Sequence, residues 1–120
     1  MNAVIYTLKQ NPPVVFRVYK THKAFRRWCR PLSGPAIACC QSFYRTKRGQ
    51  GLEQIVLSFS EDHLGAGIVS HEVLHAVLDI HRRRGLKRFP HGHCEELICR
   101  EVQDYVTAFW NWWLHTARQS

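Results

Sequence analysis

Acidic residues are scarce in this chain. Nine aspartates and glutamates stand against seventeen lysines and arginines, a formal net charge of +8 over 120 residues. An excess of that size suits an acidic partner such as nucleic acid, though it also serves solubility. Long apolar runs are missing too, and nothing approaches the roughly 18 residues that a bilayer-spanning helix needs. The opening "MNAVIYTLKQNPPVVF" has no basic segment followed by an apolar one and a small-residue cleavage site, so the expectation is a cytoplasmic protein without membrane contact. Cysteines number five, and Cys39 and Cys40 are adjacent, which argues against a disulfide framework and for reduced, mostly buried thiols. No repeat, linker or low-complexity tract breaks the chain, so residues 1–120 read as one domain.

Local patterning gives an order of elements. "AVIYTL" and "VVFRVY" alternate with period two around "KQNPP", where two prolines forbid continued pairing, so two strands joined by a turn are expected. "HKAFRRWCR" places Phe25, Trp28 and Cys29 on one helical face before Pro31 stops it. "AIACCQSFY" and "EQIVLSFS" are strand-like again, with "KRGQG" as the turn between them. From Gly67 the period becomes helical and holds to Gly85, where arginines and a glycine suit a helix end. "CEELICREVQDYVTAFWNWWLH" then reads as a second long helix. The fold class is α+β: a small antiparallel or mixed sheet, one helix carrying the motif below, and a long C-terminal helix packed on it.

The chemistry is concentrated in "IVSHEVLHAVLDIHRRRG". Residues four apart on a helix lie one above the other, so His71 and His75 present both imidazoles to one point, as zinc requires of its protein ligands. Glu72 lies a step round, placed to take a proton from a water activated by the metal and to pass it to a leaving amine. With eight histidines and six glutamates in the chain, this motif arises by chance with a probability of roughly 0.03. The flanking Ile68, Val69, Val73, Leu74, Val77, Leu78 and Ile80 predict a core helix apolar on nearly all sides, in which two histidines and a glutamate would need partners that a metal supplies. A site in which zinc is purely structural would take four protein ligands and leave Glu72 idle.

This stretch, followed about twenty residues later by "EELICREVQDYV", resembles the glutamate-zincin metallopeptidases, and in particular small metallopeptidase-like proteins encoded by bacteriophages. The resemblance implies a minimal zincin-like domain, a Zn2+ cofactor, a peptide or protein substrate, and a third ligand from the helix after the motif. It favours Glu96 over Glu95, because the small Cys99 then falls three positions beyond the ligand, where helices approach closely. It also implies that residues 55–59 are a sheet edge lining the substrate cleft by strand addition. A second resemblance, of "HEVLHAVL" and "HGHC" to the SprT-like proteases that act on DNA-attached proteins, would make His91 the third ligand, although Cys94-Glu95-Glu96 stand where that family has an aromatic residue. A zincin-like protein that has lost activity and binds a host factor is a further alternative.

Other residues carry plainer readings. His81 lies six positions beyond His75 and is expected at the surface. Asp79, one turn past His75, is placed to orient that imidazole. Cys94 and Cys99 lack a second pair at zinc-knuckle spacing. Phe109, Trp110, Trp112 and Trp113 are explained mostly by packing under the sheet, and Trp28 with Arg26, Arg27 and Arg30 by a solvated basic face, with weak nucleic-acid binding as its functional counterpart.

Overall fold

The computed structural model describes residues 3–29, 36–45, 51–83 and 93–117. Its elements are β1 (Ala3–Leu8), β2 (Val14–Tyr19), α1 (His22–Trp28), β3 (Ala38–Tyr44), β4 (Leu52–Ser60), a 3-10 turn (Glu61–His63), α2 (Ala66–Arg83) and α3 (His93–His115). The α+β class and the order of elements match the periodicity of the sequence. No helix among the described residues is long and apolar enough to cross a membrane.

The strands form one mixed sheet in the order β1-β2-β4-β3. β1 pairs antiparallel with β2, β2 parallel with β4, and β4 antiparallel with β3. A parallel pair cannot be closed by a tight turn. Here the connection carries α1 across one face and then returns through β3. β2 and β4 are the interior strands, and their continuous burial, from Ile55 to Ser60 in β4, reflects cover on both faces.

Two cores result. On one face Val14, Phe16, Val18, Ile55, Leu57 and Phe59 meet Val69, Val73, Ala76, Val77 and Ile80 of α2 and Ile98, Tyr105, Phe109 and Trp113 of α3. Phe109 sits at the centre, its ring 5.2 Å from that of Phe16 and 5.6 Å from that of Phe59. On the other face Phe25 and Cys29 of α1 pack on Tyr19 and Cys39. Thr21 caps α1, its hydroxyl accepting from the Ala24 amide at 3.0 Å.

Four expectations are corrected. β4, which holds residues 55–59, is interior and fully paired; the edge strand beside α2 is β3. α2 is amphipathic rather than buried all round: Leu74 is 42% exposed, and His71 and His75 are exposed. His81 is buried, 1% exposed, because α3 lies over it and Glu101 Oε2 stands 3.0 Å from its Nε2. Cys99 is exposed, and Ile98 is the residue that α3 buries at that level.

Candidate metal centre

α2 turns one helical stripe to the core and leaves the adjacent stripe facing β3. Val69, Val73, Val77 and Ile80 anchor the first by four- and three-residue steps. That rotation fixes where the motif points. His71, Glu72 and His75 come together with one ligand atom from each lying within 4.8 Å of the others, and no other group of three or more such side chains is seen among the described residues. The imidazoles are accessible while Glu72 is only 7% exposed.

The spacing of the two imidazoles tests whether a metal fits. Their Nε2 atoms are 3.2 Å apart, with the rings nearly perpendicular at 77°. Two nitrogens each about 2.0–2.1 Å from one tetrahedral zinc would be roughly 3.3 Å apart. The donor set of two imidazole nitrogens and a neighbouring carboxylate is also one that zinc accepts. The site can therefore hold a metal ion of this kind.

Electrostatics separate the roles. Burial raises the Glu72 carboxyl above its ordinary range, and nearby His75 and His71 pull the other way. Cys40, which faces the same cleft, is pushed up to about 12 by burial and by the charges of Glu72 and Asp79, so it stays a thiol and is no nucleophile.

Two clefts meet at Glu72. One, about 410 Å³, runs between Ala36, Ile37 and Ala38 and the helix residues Gly67, Ile68 and His71. The other, about 360 Å³, is walled by Cys40, Ser42 and Tyr44 of β3 and by His75, Asp79 and Arg82 of α2. Residues 40, 42 and 44 share a strand face by the period-two rule, which is why all three reach it. Asp79 ties the two walls together, accepting hydrogen bonds from Ser42 Oγ and, at 3.0 Å, from Tyr44 OH. Its observed role is thus to fix α2 against the edge strand. Ser42 and Tyr44 carry no motif that sequence reasoning could have found, since only the tertiary placement of β3 brings them to the site.

Glu96 is not in the group formed by His71, Glu72 and His75. Its side chain is 70% exposed and lies 3.8 Å from Arg100, one turn along α3. Glu95 is also exposed. His91 lies outside the described residues. The chain matches no protein-family model, no curated protein and no solved structure.

Proposed function

We propose that this chain is a zinc-dependent hydrolase, a peptidase, with His71 and His75 as metal ligands and Glu72 as the residue that moves the proton. The observation that carries the reading is the 3.2 Å approach of the two Nε2 atoms beside a buried carboxylate. Zinc bound there would polarise a carbonyl oxygen and lower the pKa of water toward about 7.

The chain's own residues account for the rest. Glu72 sits where the two clefts meet, so its carboxylate lies along the path of any chain that occupies both. It takes a proton from the attacking water and delivers it to the leaving nitrogen. Burial, by raising its pKa, brings the carboxyl nearer to a range in which both transfers are accessible. From Gly67 to Arg82 the trough follows about 22 Å of helix, room for roughly six residues of extended peptide. Among the described residues β3 pairs only with β4, and its other edge would offer backbone groups to such a peptide as an added strand. The Asp79 contacts hold that edge at its distance from α2.

Glu96 as third ligand rests on the resemblance alone, because its carboxylate in the structure lies by Arg100. The test of the reading is cleavage of casein or of a peptide library by the wild-type chain and by Glu72→Gln, each with its zinc content measured. Hydrolysis by the wild type, with loss of at least about a hundredfold in a variant that keeps its zinc, is the expected result. Cleavage that survives the substitution, or none by the wild type, would overturn it; the latter, with zinc present, would leave a binding protein built on a zincin-like site.

A further inference from the structure

The sheet face away from α2 carries a second cluster of reactive groups. Ile5, Arg17, Ser58 and Cys39 form one cross-strand row over all four strands. Cys29, the C-cap of α1, comes down on that row, so that it and Cys39 are packed in one core, 3% and 6% exposed. Ser58 is 1% exposed, and its hydroxyl has no hydrogen-bond partner among the described residues. Arg17 Nε is likewise buried and without a hydrogen-bond partner among the described residues. The row and the end of α1 together gather two thiols, an unpartnered hydroxyl and a guanidinium at one place.

We propose that Cys29 and Cys39 are a redox-active dithiol that a small peroxide oxidises to an intramolecular disulfide. Cys29 is the attacking sulfur. The neighbouring Cys39 thiol, with Tyr19 and Arg17, favours its thiolate against the opposing effect of burial, while the nearby Cys29 and burial disfavour ionisation of Cys39. The Cys29 thiolate attacks one peroxide oxygen and the O–O bond breaks; with hydrogen peroxide, hydroxide leaves and Cys29 becomes a sulfenic acid. The Cys39 sulfur then attacks the Cys29 sulfur, the S–O bond breaks, and the departing oxygen takes up the Cys39 proton. Two thiols and one hydrogen peroxide give one disulfide and two waters.

Geometry selects the partner and the oxidant. Cys40, next in sequence, packs against the core on the opposite sheet face, so it cannot resolve Cys29. Both thiols are covered, which favours a small oxidant over a bulky disulfide. α1, which covers them, is a helix of seven residues whose last turn is closed by the Cys29 amide donating to Phe25 O at 2.9 Å, and opening of that turn would admit the oxidant.

The experiment treats the reduced full-length protein with hydrogen peroxide, blocks remaining thiols under denaturing conditions, and maps peptides without reduction. The expected product is lighter by about 2 Da, has lost two of its alkylatable thiols, and links the peptides holding Cys29 and Cys39. In Cys39→Ser, dimedone should trap a sulfenic acid on Cys29. A cross-link between other cysteines, oxidation of Cys29 to the sulfinic acid without a cross-link, or five free thiols after excess peroxide would each overturn the proposal. The wild-type map is decisive whether or not the variant folds, and it does not depend on the zinc site.

Discussion

Glu72 is a buried acid whose partners, His71 and His75, do not fully offset the cost of removing it from water. Its pKa in the folded chain is therefore above the unfolded value. Between those two values the folded state binds more protons, so stability falls as pH rises through that window and the deficit is complete above the folded pKa. In metal-free protein Glu72→Gln should accordingly raise the melting temperature at pH 7 and leave it unchanged at about pH 4, where the native carboxyl is already neutral; a variant less stable at pH 7 would mean that the carboxylate has partners the structure does not show. Glu96 provides a second test at this scale. If the resemblance has named the third ligand, Glu96→Ala lowers zinc affinity by orders of magnitude while Glu95→Ala, on the same exposed turn, changes little. Zinc retained in Glu96→Ala and lost in His91→Ala, each read by elemental analysis, moves the ligand to the segment before α3. The order His-Glu-x-x-His showed the cluster from sequence because helix geometry alone brings i and i+4 together. No such rule fixed the side of α3 on which Glu96 lies.

α3 shows where one-dimensional patterning stops. The resemblance set the small Cys99 where the helices approach, and packing against α2 buries Ile98 instead. The same rotation brings Glu101 to His81 and buries that imidazole. His81 Nδ1 finds no partner, so the contact with Glu101 is the one that offsets its desolvation among the described residues. Glu101→Ala should cost about 1–3 kcal/mol in urea unfolding, the penalty of a buried polar group left unsatisfied. Phe109→Ala, which empties the junction of both β-face aromatics, should cost about 3–5 kcal/mol. The strands were legible because each alternates by itself. Their order was not, since the parallel pairing of β2 with β4 joins segments about forty residues apart and leaves no local mark. Hence β4 read as an edge, and the wall of the site, β3, had no visible role.

For the molecule as a whole the charge of +8 is the property most open to solution measurement. Arg27, beside the half-exposed Trp28, and Arg82, at the cleft, are two places where it meets solvent. Weak binding to polyanions without sequence preference should follow, falling about a hundredfold as salt rises from about 50 to 200 mM; affinity that survives high salt would show that charge is not its source. The proposed activity depends on something narrower, that His71 and His75 hold a metal. Its most direct measurement is zinc stoichiometry by elemental analysis, paired with melting curves before and after a strong chelator, for the wild type and for His71→Ala. The account predicts one zinc per wild-type chain, a lower melting temperature on chelation, and neither zinc nor a chelator effect in the variant. A wild-type chain that takes up no zinc and melts identically with and without chelator would contradict it.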